Sequence, residues 1–62
     1  MDRTDILLRF TGSETDEEVR LAEDFINLAE LINESEIESR EKTISIERLE
    51  ESFMWAKKGM LV

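Results

Sequence analysis

The segment Ser39–Met60, with the sequence SREKTISIERLEESFMWAKKGM, contains the pattern that decides the fold class. Its apolar residues recur at alternating steps of three and four, which places them on one stripe of an α-helix. Ser39 is a suitable N-cap, and Lys57 and Lys58 lie in the last turns, where cations suit the helix dipole. The spacing therefore predicts a long amphipathic helix whose stripe consists of Ile46, Leu49, Phe53, Ala56 and Met60.

A second long helix is predicted upstream, from Asp16 to about Asn33. Thr15-Asp16-Glu17-Glu18 matches a capping box, in which side chains satisfy the free backbone N–H groups of the first turn. The apolar residues form two neighbouring stripes, and a single partner helix can cover only one of them. The surplus predicts contacts with other subunits. The stripes are Ala22, Phe25, Ala29 and Ile32, and Leu21, Leu28 and Leu31, with Ile26 beside them.

The N-terminal residues predict a short helix, Asp2–Phe10, capped by Asp2 or Thr4. A helix of this length needs packing against the rest of the chain to be stable. Thr11–Glu14 follows as a loop, because Gly12 stands there between two hydroxyl residues.

The turn between the two long helices is predicted at Asn33–Glu38 and leaves two possible helix starts. Either Ser39 caps a helix that begins at Arg40, or Ser35–Glu38 forms a second capping box and the helix begins at Glu36. Both connections are short, so the long helices should lie antiparallel. We therefore predict an all-α fold in one domain, residues 1–62, with a short N-terminal helix followed by an antiparallel hairpin of two long helices.

Length and composition restrict how this fold can be stabilised and what chemistry it can perform. A chain of 62 residues buries a small core, and scaffolds of this size usually add disulfides, metals or partner chains. The sequence has no cysteine and no histidine, which excludes disulfides, thiolate and imidazole metal ligands, and histidine-based triads. Self-association is the remaining common remedy, so we expect a homo-oligomer. No cofactor and no catalytic residue is predicted.

The charge balance restricts the partners. With 16 acidic and 8 basic residues, the formal net charge is −8, which argues against binding DNA or RNA polymers through a basic face. No apolar run approaches the ~20 residues that cross a bilayer, and the first ten residues lack the pattern of a signal peptide. We expect an intracellular protein without membrane contact. Any phosphate site must gather a few cations locally, from one chain or from more than one.

Several short motifs carry a resemblance to a known family. Ser39-Arg40-Glu41-Lys42, then Leu49-Glu50-Glu51 and Met54-Trp55-Ala56, resembles the C-terminal helix of the phage anti-CBASS cyclic-nucleotide sponges, whose helical-hairpin domain is shared with anti-Thoeris sponges. Arg9-Phe10-Thr11 is similar to the N-terminal motif of that family, and Leu28–Ile32 to its first long helix. The resemblance covers most of the chain. It implies a homohexamer with pockets between subunits, and separate sites for cyclic dinucleotides and cyclic trinucleotides.

The start of the last helix is the first candidate ligand-binding segment. Free N–H groups and the positive end of the helix dipole favour an anion there. Arg40 can hold a phosphate with two hydrogen bonds, and hydroxyls supply further donors. The alternative is that a serine caps the helix, the following charged residues face solvent, and Arg40 pairs with a nearby glutamate. Short patterns of this kind are common in proteins and do not by themselves indicate a ligand site. The candidates are Ser39, Arg40, Lys42 and Thr43.

The segment Arg9–Ser13 is the second candidate. Phe10 could stack on a purine, hydroxyls could donate to phosphate, and Gly12 would let the backbone approach a ligand closely. The alternative makes Phe10 a core anchor and Gly12 a turn residue. The family that the chain resembles usually carries a base-contacting aromatic residue where Gly12 stands. The candidates here are Arg9, Phe10, Thr11, Gly12 and Ser13.

Two single residues complete the prediction. The resemblance implies that a basic residue near Arg20 of a neighbouring subunit contacts the ligand; the alternative is a surface ion pair of Arg20 with Asp16, Glu23 or Asp24. Trp55 lies beside the apolar stripe and is predicted to anchor an interface, because tryptophan offers a large apolar face and one N–H donor; the alternative is a stacking platform.

Three functions remain open at this point. The resemblance implies a sponge that sequesters cyclic dinucleotides in the cytoplasm of the infected bacterial host, so that CBASS effectors stay inactive. We expect weaker binding of cyclic trinucleotides, because the tail Met60-Leu61-Val62 lacks the basic residue with which the family holds them. The alternatives are a helical adaptor that binds a host protein, and a hydrolase of the same messengers.

Overall fold

A computed structural model describes residues 1–60 and contains three α-helices, α1 (Arg3–Arg9), α2 (Asp16–Glu34) and α3 (Ser39–Met60). No strand occurs in this part of the chain. The predicted all-α fold, with a short helix followed by two long ones, is confirmed. The molecule is a rod of 37 × 16 × 14 Å. The expectation for cyclic trinucleotides depends partly on Leu61 and Val62, which lie outside the described residues.

Helix α1 is short and is held by its cap and by α2. The Asp2 carboxylate accepts a hydrogen bond from the Asp5 N–H at 3.0 Å, so Asp2 is the N-cap rather than Thr4. Ile6 packs into the core, and Arg3 Nε donates to Glu30 Oε1 of α2 at 2.9 Å. The start of α1 therefore lies beside the last turns of α2, and packing stabilises a helix that would not persist alone.

Helix α2 begins where its capping box predicts. Thr15 Oγ1 accepts the Glu18 N–H at 3.1 Å and donates its own proton to Glu18 Oε1 at 3.2 Å. Glu18 is 3 % exposed, and the Ser13 hydroxyl donates to its carbonyl at 3.4 Å. The first turn of α2 is thus closed by side chains, and the helix ends at Glu34, one residue beyond the predicted Asn33.

Helix α3 begins at Ser39, which corrects both predicted starts. The Ser35 hydroxyl donates to the Leu31 carbonyl at 2.7 Å, and Ser35 is the C-cap residue of α2, so it ends that helix. The first helical hydrogen bond of α3 runs from the Lys42 N–H to the Glu38 carbonyl at 2.9 Å. The start at Glu36 is therefore wrong, and Ser39 is the first helical residue, with Glu38 in the N-cap position.

Three phenylalanine rings, one from each helical segment, form the centre of the core. The ring centroids of Phe10, Phe25 and Phe53 lie 5.9, 5.6 and 5.5 Å apart in pairs, within the usual range for aromatic contacts. Phe10 and Phe53 are buried. The cluster holds α1 across the antiparallel hairpin, and the other buried apolar residues of the described chain are Ile6, Ala22, Ala29 and Ile46.

Much apolar surface stays outside this core. On α2, Leu31 is 61 % exposed, and on α3 Met54 and Trp55 are 60 % and 64 % exposed. Trp55 lies two residues from the buried Phe53, which places it on the opposite side of α3. The surplus apolar surface predicted for α2 is therefore present, α3 has exposed apolar side chains as well, and the homo-oligomer that would cover them stays a prediction. No helix in residues 1–60 combines the length and apolarity that a bilayer span requires.

Candidate functional site

The predicted ligand-binding residues divide between the two ends of the hairpin. The "loop end" comprises Arg9–Ser13 and Arg20, and the "turn end" comprises residues 39–43. Lys57 of α3 contacts the loop end through the Thr11 carbonyl, 2.9 Å from its Nζ. At a helical rise of about 1.5 Å per residue, Thr43 lies about 21 Å along α3 from Lys57. A single chain therefore does not bring the ten residues into one pocket.

The turn end presents an open helix N-terminus. The N–H groups of Ser39, Arg40 and Glu41 precede the first helical hydrogen bond, which Lys42 makes. No side-chain acceptor within residues 1–60 covers these three groups, whereas Thr15 closes the start of α2. Uncapped N–H groups and the positive end of the helix dipole attract an anion.

Two cations stand beside these N–H groups. Arg40 is exposed and Lys42 is half-buried, and neither forms an ion pair with any of residues 1–60. The alternative in which Arg40 pairs with a neighbouring glutamate is therefore not formed in this part of the chain. Thr43 is exposed one residue further on. The turn end can thus offer backbone donors, hydroxyls and two cations to one anionic group.

At the loop end, Arg9 is committed to an ion pair within the chain. Its Nη1 donates to Glu50 Oε1 at 2.8 Å, and both side chains are about two-thirds buried. This contact connects the end of α1 to the middle of α3. A guanidinium has five N–H donors, so Arg9 retains others for a second acceptor.

The aromatic residue of the loop end belongs to the core. Phe10 is 3 % exposed and packs against Phe25 and Phe53, so its ring cannot stack on a base unless the core opens. Phe10 is therefore a core anchor, as the alternative interpretation predicted. Gly12 has φ +83°, a left-handed conformation that glycine adopts readily, as the turn alternative predicted.

The two loop hydroxyls already donate hydrogen bonds. Thr11 Oγ1 donates to the Leu8 carbonyl at 3.2 Å, and Ser13 Oγ donates to the Glu18 carbonyl at 3.4 Å. Each hydroxyl has one proton, so donation to a phosphate would break these bonds. Both oxygens remain acceptors.

Arg20 lies on α2 close to the C-terminal end of α3. It is exposed, and Met60 lines the same shallow depression. The alternative ion pairs of Arg20 with Asp16, Glu23 or Asp24 are not formed within the described residues. Arg20 is therefore available to a group outside its own chain.

Two features were not predicted from the sequence: the contact of Lys57 with the loop end, and a depression on the outer face of α3. The spacing of Phe53 and Lys57, four residues apart on one helix face, was the available signal for the first. The depression has a volume of about 570 Å³. Three carboxylates and two cations make it unfavourable for a phosphate; its lining is Glu47, Arg48, Glu50, Glu51, Met54, Trp55 and Lys58.

The arrangement has binding groups but no assembled metal centre in the described chain. No group of three or more acidic residues there is placed to hold a metal ion. Hydrogen-bond donors and cations at the two ends can bind anions without further chemistry.

Comparison with known proteins shows the family of the chain. A family model described as "Acb2/Tad1, hairpin domain" matches residues 1–60. The resemblance inferred from the sequence motifs is confirmed by this match. No characterised protein and no solved structure matches the chain.

The open start of α3 predicts an effect of Glu38→Asp on stability. Aspartate is a favoured N-cap and would accept from the free N–H groups, whereas glutamate is a poor cap, so unfolding should cost about 1 kcal/mol more. For a domain of this size, Tm should rise by about 4–8 °C at fixed protein concentration in a calorimetric scan. Glu36→Asp is the matched control, since Glu36 lies outside the helix. Equal Tm values for the two variants would contradict an open N-terminus.

Proposed function

The chain belongs to the Acb2/Tad1 hairpin family of anti-CBASS and anti-Thoeris sponges, and from that membership we propose that it binds and sequesters cyclic oligonucleotide second messengers. Cyclic dinucleotides are the proposed ligands, and the bound nucleotide is withheld from CBASS effectors without being hydrolysed. The site of action is the cytoplasm of the infected bacterial host. Family membership supports a binding protein rather than an enzyme; the choice of ligand is our proposal.

The observation that carries the proposal is the open start of α3 with Arg40 and Lys42 beside it. A charge-assisted hydrogen bond to phosphate typically contributes ~1.5–3 kcal/mol, and the turn end can make several. The net charge of −8 opposes an anion only within a short range, because screening at physiological salt acts over about 8 Å. Contacts within that range therefore decide whether a phosphate binds.

The local charge at the turn end favours a pocket shared between chains. The turn end itself, residues 39–43, contains Arg40, Lys42 and Glu41 and sums to +1, and Glu36 and Glu38 immediately before it bring the sum to −1. A phosphodiester adds one more negative charge, so a further cation from another subunit would reduce the excess of negative charge. Arg20 of a neighbouring subunit is the best candidate, since it is exposed and has no ion pair within residues 1–60.

Self-association is the second requirement of the proposal. In one chain the Thr11 carbonyl lies about 21 Å along α3 from Thr43, and Arg9, beside Glu50, lies about 10 Å from it, so the candidates are spread along the rod. The turn end of one subunit and the loop end of another would form each pocket. The exposed Leu31, Met54 and Trp55 offer apolar surface for such contacts, and we propose the homohexamer implied by the resemblance.

Sequestration without hydrolysis follows from the available side chains. Attack on a phosphodiester needs a positioned base or a metal-bound water, and the sequence has neither histidine nor cysteine. The carboxylates of residues 1–60 lie mostly on exposed helix faces. We therefore propose that the ligand leaves the protein unchanged.

A second candidate function is a protein–protein adaptor, which the outer face of α3 favours. Met54 and Trp55 are exposed there among charged residues, a composition that also suits a host-protein interface. A protein that binds no cyclic nucleotide but forms a stable complex with one host protein would support this candidate over the sponge.

Substituting the turn-end cations tests the proposed phosphate site. Arg40→Ala and Lys42→Ala, made singly, should each weaken cyclic dinucleotide binding by about ten- to a hundred-fold, because each removes a charge-assisted hydrogen bond. Calorimetry measures the affinity, and light scattering verifies that the assembly is unchanged. Arg48→Ala is the matched control, since Arg48 lies on the outer face of α3 beside Glu51. Wild-type affinity in both turn-end variants would move the phosphate site to Arg9 and Arg20.

Recovery of the ligand tests the absence of hydrolysis. After incubation of the protein with an excess of a cyclic dinucleotide and denaturation, chromatography of the supernatant should return the intact cyclic compound. A heat-inactivated sample gives the control for spontaneous cleavage. Linear or mononucleotide products that increase with incubation time would contradict sequestration and favour the hydrolase.

A further inference from the structure

Lys57 makes three contacts that join the loop end to α3. Its Nζ donates to the Thr11 carbonyl at 2.9 Å and to the Gly12 carbonyl at 3.5 Å. The same ammonium lies 4.4 Å from the centroid of the Phe53 ring, within cation–π distance. The three N–H donors of one ammonium therefore have two successive carbonyls and an aromatic face as partners.

The backbone of the loop is adapted to this ammonium. Gly12 has φ +83°, and a Cβ at that position would lie 3.2 Å from Lys57 Nζ. A side chain there would therefore be strained by the backbone conformation and would also press against the cation. Gly12 and Lys57, 45 residues apart in the chain, are thus matched to each other.

Phe10 in the core and the ion pair of Arg9 with Glu50 anchor the start of the loop, but few contacts hold the residues that follow. The backbone of residues 11–14 forms no hydrogen bond with the backbone of the described chain, and the hydroxyls of Thr11 and Ser13 bond only to the helices that flank the loop. Lys57 supplies the hydrogen bonds that tie Thr11 and Gly12 to α3. These bonds are exposed to solvent, so they contribute more to the position of the loop than to the stability of the fold.

We propose that Lys57 is a positioning residue that holds the Thr11–Gly12 loop against α3 and thereby pre-forms the loop end of the nucleotide pocket. This role rests on the proposed function, because the loop end must face a ligand for its position to matter. Lys57 acts through the loop backbone and makes no contact with the ligand. Its ammonium is already occupied by the two carbonyls and the ring.

The cost of losing Lys57 follows from the order that it imposes. Without the ammonium, the loop samples several conformations, and the ligand must select one of them. Fixing the backbone of one residue lowers affinity by about five-fold at the lower end of the usual range and by about thirty-fold at the upper end. We therefore expect a Lys57 variant to bind cyclic dinucleotide about ten-fold more weakly.

Lys57→Met tests this role, because methionine keeps an unbranched side chain over Phe53 and removes the ammonium. Nitrogen-15 relaxation of the ligand-free protein should show the Gly12 amide changing from an ordered to a flexible order parameter, and calorimetry should show the ten-fold loss of affinity. Tm should stay within a few degrees of wild type. Lys58→Met is the matched control, since Lys58 lies over Trp55 on the outer face, 4.9 Å from the ring centroid.

Each combination of affinity and order at Gly12 tests a different part of the proposal. Weaker binding with an ordered Gly12 amide would make Lys57 a direct ligand contact and overturn positioning. A flexible Gly12 with wild-type affinity would show that loop order does not matter for binding and would overturn the role as well. A wild-type protein that binds no cyclic dinucleotide would refute the proposed function, whatever the relaxation data show. If Lys57→Met aggregates, Lys57→Leu also removes the ammonium without supplying another hydrogen-bond donor, and it serves for both measurements.

Discussion

The contact among Phe10, Phe25 and Phe53 is the constraint on which the rest of the structure depends. Among residues 1–60 only six apolar side chains are buried, so one aromatic cluster supplies a large share of the hydrophobic stabilisation. It fixes α1 across the hairpin, where Arg9, the residue before Phe10, forms an ion pair with Glu50. The short connection of residues 35–38 makes α2 and α3 antiparallel, which places the Thr11–Gly12 loop and the turn end at opposite ends of α3.

The fold was largely predictable because it depends on helical periodicity. The stripe through Ile46 and Phe53 identified α3, and Thr15 with Glu18 located the start of α2. The start of α3 was not predictable in the same way, because Ser35 and Ser39 both suit an N-cap, and only the hydrogen bond from the Lys42 N–H to the Glu38 carbonyl shows where the helix begins. Serine side chains bond to backbone groups in several local arrangements, so local pattern does not fix the boundary of a helix.

The candidate site was less predictable, because its contacts join residues that are distant in sequence. The motif around Phe10 was compatible with base stacking or with a core anchor, and burial among three helices distinguishes them. In the sequence, Lys57 is only a cation in the last turns of α3, because its loop partners lie 46 and 45 residues away in the chain. The division of the ten candidates between two ends depends on the antiparallel arrangement. Because the candidates are divided in this way, we propose a pocket assembled from two chains rather than a pocket within one chain.

Mixing two defective variants tests that claim most directly. Arg20→Ala removes a loop-end cation and Arg40→Ala a turn-end cation, and each variant alone should bind cyclic dinucleotide weakly. After subunit exchange, verified by mass spectrometry, a pocket is intact when one chain supplies Arg40 and its neighbour supplies Arg20. At equal amounts this holds for about a quarter of the pockets, because each position is filled by the suitable variant half of the time. Calorimetry should therefore recover wild-type affinity at about a quarter of the wild-type capacity. No recovery in exchanged assemblies would contradict a pocket formed by two chains.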